Sequence, residues 1–247
     1  MTAAAEVFVV ALLTDFATGL GVLPFAVAPR PSARWPGLAT GMAGGMMLSA
    51  SVFALADKAL RLGQAIEVIA GMLAGALFFD WSARFVSARH WHLRDWTEAD
   101  SRRPIVVIGT MFVHSIPEGL AIGAGYATGE VRFGLLLAIA IAVHNIPEGT
   151  AVAMPLRARG ASLAACFWYA VLTSVPQPLV AVPAFLLISL VQPLLAASLG
   201  FAGGAMIFLV VAELLPESLA RCSTLETAWG VTIGLVAMLG FTAALGL

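Results

Sequence analysis

Apolar stretches of about twenty residues or more follow one another almost without pause along this chain. In helical form such a stretch crosses the hydrocarbon core of a bilayer. Inside lipid, backbone polar groups are satisfied only within helices or closed barrels. The predicted spans are 4–28, 37–59, 63–87, 104–127, 131–156, 162–190, 194–217 and 226–246. The expected fold is therefore all-α: a polytopic membrane protein of eight transmembrane helices, one domain over residues 1–247. The longest connection, about 88–103, holds Arg89, His90, His92, Arg94, Asp95, Glu98, Asp100, Arg102 and Arg103. Charged residues are 11% of the chain, against roughly a quarter in soluble domains.

Several classes fall away on composition. There is no basic run, so no nucleic-acid partner is expected. Cys166 and Cys222 lie far apart without C-x-x-C spacing, which suggests neither a disulfide framework nor a thiolate site. Residues 1–28 resemble a signal peptide at Ala26-Val27-Ala28. However, no basic residue precedes the apolar stretch and Glu6 stands in its place, so the segment reads as a first span.

Basic residues set the expected orientation. One side carries Arg30, Arg34, Arg84, Arg89, Arg94, Arg102, Arg103, Arg157, Arg159 and Arg221; the other carries Lys58, Arg61 and Arg132. That bias predicts a multi-pass protein of the inner (cytoplasmic) membrane with both termini outside and the 88–103 loop inside. Gly41-Met42-Ala43-Gly44-Gly45-Met46-Met47-Leu48 matches Gly200-Phe201-Ala202-Gly203-Gly204-Ala205-Met206-Ile207 in G-x-A-G-G-x-M-aliphatic. Spans 2 and 7 run oppositely under this topology. Spans 1–3 and 6–8 then read as inverted repeats around a central pair 4/5, against the alternative that small residues simply recur where membrane helices pack.

The chemistry lies in the central pair. His114-Ser115-Ile116-Pro117-Glu118-Gly119 recurs as His144-Asn145-Ile146-Pro147-Glu148-Gly149. A His and a Glu four apart share one helix face. Two such faces turned together make a two-His, two-Glu pocket suited to a divalent transition metal such as zinc. Ionisable groups at membrane depth are costly and mark function by default. Pro117 and Pro147 withhold a backbone N–H within each motif and are expected to kink both helices there.

Other polar groups leave two readings open. Gln177, between Pro176 and Pro178, sits either near the ion or at a plain helix break. Met47 is a soft ligand or core filler. Glu213 and Glu217 guide ions on exit or sit at the interface beside Arg221. His90 and His92 collect metal or are solvated surface. Asp15, near Thr14 and Thr18, and Asp80 have no evident role.

These residues resemble the ZIP (Zrt-, Irt-like protein) family of divalent metal transporters, particularly its bacterial GufA-like branch. The resemblance covers nearly the whole chain. It rests on the doubled H-x-x-P-E-G motif, on Gly41–Leu48 continuing through Ser49-Ala50-Ser51, on Pro155-Leu156-Arg157, and on Gly203-Gly204-Ala205-Met206 running to Glu213-Leu214-Leu215-Pro216-Glu217. It implies an eight-helix fold with both termini outside, uptake of metal into the cytoplasm, and a homodimer. Spans 1, 4, 5 and 6 would move as an elevator-like unit against 2, 3, 7 and 8. The implied ligands are His114, Glu118, His144 and Glu148, with Met47 as an extra contact. Relatives often bind a second metal beside the first; here the corresponding positions are the neutral Ser115, Asn145 and Gln177, which predicts one tight metal and a weak second site or none.

The expected substrate is Zn2+, with Fe2+, Cd2+, Mn2+ and Co2+ left open, and no organic cofactor. The rival readings are an intramembrane metallohydrolase and a membrane metal sensor. The chain has no His-Glu dipeptide of the H-E-x-x-H kind, and no signalling domain is evident in it, so neither an enzyme nor a sensor is expected.

Overall fold

The structure, a computed structural model, describes residues 2–27, 34–88 and 98–245. Among the described residues every regular element is helical. The long helical stretches are α1 (Ala3–Val27), α2 (Arg34–Leu62), α3 (Ala65–Ala88), α4 (Glu98–Ala127), α5 (Val131–Ala158), α6 (Leu163–Leu190), α7 (Leu194–Leu219) and α8 (Thr224–Leu245). All but α4 meet the length and apolarity needed to cross a membrane over their described residues. His90 and His92 lie outside the described residues.

Local sequence explains where these helices begin and bend. The Thr2 hydroxyl accepts from the Ala5 N–H and caps α1. α4 starts at Glu98, earlier than the apolar pattern at 104 predicts. Pro117 and Pro147 lie inside α4 and α5, which stay helical through them. The Pro176-Gln177-Pro178 run does interrupt α6, at Val175. Gly129, with φ +79°, closes the short turn between α4 and α5.

Two π-helical departures from the α-helix among the described residues were not legible in hydropathy. α2 turns π-helical over Ala50–Ala56 and α7 over Val210–Leu214. Each follows directly on one copy of the G-x-A-G-G-x-M pattern. A π turn inserts a residue into the helical ladder and commonly marks a functional segment.

Packing divides the helices into two sets. α1, α4, α5 and α6 pack on one another; α2 packs on α8 and α3 on α7. The sets meet where α4 lies on α7 and α5 on α2. At the α3–α7 contact Gly75 abuts the Phe201 carbonyl and Gly204 abuts the Met72 carbonyl. At the α2–α8 contact Gly234 abuts the Met42 carbonyl and Gly45 the Val231 carbonyl. The two lists are one list shifted by a constant interval along the chain: Gly45 to Gly204, Gly75 to Gly234, Met42 to Phe201 and Met72 to Val231. Over successive turns the contacts rise together, from Val68 at Gly200 to Phe79 at Phe208 and from Gly41 at Thr227 to Gly45 at Val231, so α3 runs parallel to α7 and α2 parallel to α8. Small residues let these backbones touch, which is how membrane helices gain dispersion energy when lipid offers no hydrophobic drive.

One ion pair ties the sets together at the end where α4 turns into α5. Lys58 of α2 donates to Glu130 at 2.7 Å, and its ammonium stands 4.9 Å from the centre of the Phe133 ring.

Gly204→Ala is expected to destabilise the detergent-solubilised protein by about 1–3 kcal/mol, since the new methyl meets backbone that cannot move aside. Gly240→Ala, where a methyl meets open space, is expected to be neutral or slightly stabilising. Thermal unfolding of the two variants beside the unaltered chain checks this. Equal melting temperatures would show the α3–α7 contact is not close.

Candidate metal centre

α4 and α5 turn their motif faces toward each other, and the four predicted side chains converge in a buried interior. His114 and His144 have no exposed surface, Glu118 is 1% exposed and Glu148 5%. His144 Nε2 lies 3.0 Å from Glu118 Oε1. His114 Nε2 lies 3.8 Å from Glu148 Oε1. The tightest group is Glu118, His144 and Glu148, one ligand atom of each lying within 4.8 Å of the others. Each histidine therefore faces the glutamate of the opposite helix rather than of its own.

The electrostatics of this cluster are unfavourable as they stand. Two carboxylates share a buried space, and among the described residues Arg34–Glu226, Lys58–Glu130, Arg61–Asp57, Arg84–Asp80 and Arg221–Glu217 pair away from it. His144 Nδ1 and His114 Nε2 have no hydrogen-bond partner. Each orphaned buried polar atom costs about 1–3 kcal/mol. A dication would balance both carboxylates and take up imidazole lone pairs in one step. The donor set of two neutral imidazoles and two carboxylates fits such an ion.

Hydrogen bonds from α1 and α6 hold the cluster. The Gln177 side-chain amide donates to Glu118 Oε2. Gln177 Oε1 lies 2.7 Å from Thr14 Oγ1. Asn145 Nδ2 donates to the Thr14 carbonyl at 3.2 Å, and Ser115 Oγ lies 3.1 Å from the Thr173 carbonyl, which can accept its proton. Gly119 lies against the Gln177 backbone and Gly149 against the Thr18 carbonyl, so α6 and α1 close on α4 and α5 at the level of the ligands. The Phe79 ring of α3 meets His114 edge-on at 5.6 Å between centroids.

The other predicted residues scatter. Met47 is fully buried at the threshold of the π turn of α2. Glu213 is half-buried within the π turn of α7. Glu217 is held by Arg221, whose Nη1 also reaches Met154 Sδ at 3.1 Å. Asp80 pairs with Arg84 one turn on, at 2.9 Å on an exposed face. Asp15 is 1% exposed and its Oδ1 has no hydrogen-bond partner. Thr14 is the member of the site that sequence reasoning missed; its only signal was a hydroxyl in an apolar span.

Comparison with known proteins agrees with this geometry. Residues 95–245 match the family described as "ZIP Zinc transporter". The zinc transporter GufA of Myxococcus xanthus is 35% identical over 246 residues, covering 92% of this chain and 96% of that protein. The zinc transporter ZIPB of Bordetella bronchiseptica is 33% identical, covering 93% of this chain and 78% of that one. An Arabidopsis thaliana protein with a provisional zinc-transporter name is 41% identical over 226 residues; the match spans 90% of this chain but only 36% of that protein.

Imidazole and carboxylate ligands bind metal only when deprotonated, so protons compete with a dication at this cluster. The affinity of the purified protein for Zn2+ is expected to fall steadily as pH is lowered from about 8 to about 5. Calorimetric titration at stepped pH measures it, and an affinity unchanged over that range would count against imidazole and carboxylate ligation.

Proposed function

The chain belongs to the ZIP family of zinc transporters, and on that premise we propose that it carries divalent metal, zinc first among them, into the cytoplasm through the His114, Glu118, His144 and Glu148 cluster. The observation that carries this reading is the convergence of those side chains in a buried interior, where among the described residues neither glutamate pairs with an arginine or lysine. The substrate is suggested by the names of the relatives. Fe2+, Cd2+, Mn2+ and Co2+ suit the same donors in principle. It is a carrier rather than an enzyme.

The transport path follows from the two helix sets. All eight long helices cross the inner membrane in this reading, with both termini outside, as the basic-residue bias suggests. Spans 1–3 and 6–8 are inverted repeats around the α4/α5 pair. Support comes from the constant interval that maps the α2–α8 contact onto the α3–α7 contact, while consecutive helices alternate in direction. The same interval carries Thr18 onto Gln177 and Thr14 onto Thr173, the residues that meet the two motifs.

Metal enters from outside and sheds water onto the four ligands, with Met47 as a further soft contact. α1, α4, α5 and α6 then shift against α2, α3, α7 and α8 so that the site opens inward. The ion leaves by way of Glu213 and Glu217, and the chain works as a homodimer. One metal is bound tightly. Gln177, Ser115 and Asn145 bring no charge for a second dication; the Gln177 amide is engaged with Glu118, Ser115 Oγ with the Thr173 carbonyl and Asn145 Nδ2 with the Thr14 carbonyl, which leaves Asn145 Oδ1 as the one unpartnered neutral oxygen among them.

Reconstituted in liposomes, the protein is expected to accumulate radioactive zinc, and Glu118→Ala or His144→Ala to reduce uptake to the level of empty vesicles while staying folded. Undiminished uptake by either variant would remove the cluster from the path. Zinc titration of the purified protein is expected to show one tight equivalent per chain, and two tight equivalents would refute the single-metal reading.

A further inference from the structure

We propose that Thr14 and Gln177 are positioning residues that make the two motif glutamates unequal: they hold Glu118 by one oxygen and leave Glu148 free to turn. The inference rests on the reading of the cluster as the transport site.

The argument starts from the two ends of an amide. Gln177 is fully buried, so both ends need protein partners. One end faces Glu118 Oε2. A carboxylate only accepts, so the –NH2 end must face it, and this fixes the amide's orientation. The carbonyl end then points at Thr14 and needs a donor, which the Thr14 hydroxyl at 2.7 Å supplies. Thr14 Oγ1 is also 2.7 Å from the Ala11 carbonyl. One proton cannot serve both acceptors. Ala11 O already accepts from the helical N–H four residues on, whereas Gln177 Oε1 has Thr14 alone, so the proton goes to Gln177. The chain of donors runs Thr14 to Gln177 to Glu118.

Thr14 is itself fixed. Its carbonyl accepts from Asn145, the residue after His144, so α1, α4, α5 and α6 all meet at this node. Glu118 is thereby left with Oε1, the oxygen that faces His144.

Among the described residues nothing equivalent holds Glu148. The place corresponding to Gln177 is taken on α1 by Thr18. Its hydroxyl is engaged 2.8 Å from Ser174 Oγ, and its side chain is too short to play the amide's part. The contact of Glu148 within the cluster is His114, at 3.8 Å. Glu118 is thus a one-oxygen ligand of fixed direction. Glu148 is the ligand that closes on an arriving ion and lets go on release. Outer partners of this kind fix ligand geometry and are commonly worth about 10–100-fold in metal affinity.

The test compares Thr14→Val, which keeps the shape and removes the hydroxyl, with Thr14→Ser, which keeps the hydroxyl. Thr18→Val is the control, since it removes a hydroxyl contact between the same two helices away from Glu118. Zn2+ affinity by calorimetry, the visible spectrum of bound Co2+, and zinc uptake are read on each purified, folded protein. Thr14→Val is expected to bind Zn2+ about tenfold or more weakly, to shift the Co2+ bands, and to raise the KM of uptake more than it lowers Vmax. Thr14→Ser and Thr18→Val are expected to match the unaltered protein. If Thr14→Val does not fold, Thr14→Ala replaces it with the same expectation.

An unchanged affinity and Co2+ spectrum in Thr14→Val would overturn the proposal. So would equal losses in Thr14→Val and Thr18→Val, which would reduce Thr14 to a packing residue. If the unaltered protein binds no Zn2+, or Glu118→Ala binds it undiminished, the transport-site reading falls and takes the relay with it.

Discussion

Two carboxylates held a few ångströms apart in a buried interior repel one another, and a cation between them removes the repulsion. Glu118 and Glu148 are in that position, with imidazoles as their neighbours in the cluster. An uncompensated charge in such surroundings costs several kcal/mol. A dication shared between them would remove that cost. The rest of the structure holds this arrangement.

Holding is done at two levels. Backbones touch through glycine at the α2–α8 and α3–α7 contacts, which gives those helices a rigid mutual fit. Around the ligands the contacts are polar: Ser115, Asn145, Gln177, Thr14, Thr18 and Ser174 form a buried band joining α1 and α6 to the central pair. Hydrogen bonds exchange partners more readily than interlocked backbones do. The set that carries the ligands is thus stitched internally by polar groups, while its neighbours are locked by close packing. The Lys58–Glu130 pair at the α4–α5 turn joins the two sets by a contact that can break and reform.

Much of this was legible from residue types alone. The repeated motif predicted that His114, Glu118, His144 and Glu148 face one another, because His and Glu four apart share a helix face, and these side chains do meet across α4 and α5. Hydropathy located the helices to within a few residues, apart from the start of α4 at Glu98. Gln177 was placed near the cluster or at a helix break, and it does both, since α6 breaks at Val175 and the amide reaches Glu118. What stayed hidden depends on register or on distant partners. The π turns over Ala50–Ala56 and Val210–Leu214 alter hydrogen bonding without altering hydropathy. Thr14 meets Gln177 only once α1 lies on α6, and a lone threonine gives no sign of it. Asp80 needed only the arginine one turn on, while Asp15 remains without a partner for its Oδ1.

The claim on which the account depends is that imidazoles and carboxylates from two adjacent helices share one ion. Anomalous diffraction at the zinc edge, from crystals of the zinc-loaded protein, tests it most directly. The account predicts a single strong peak enclosed by His114, Glu118, His144 and Glu148. A zinc-loaded protein with its peak elsewhere, and those four side chains unchanged around nothing, would contradict it.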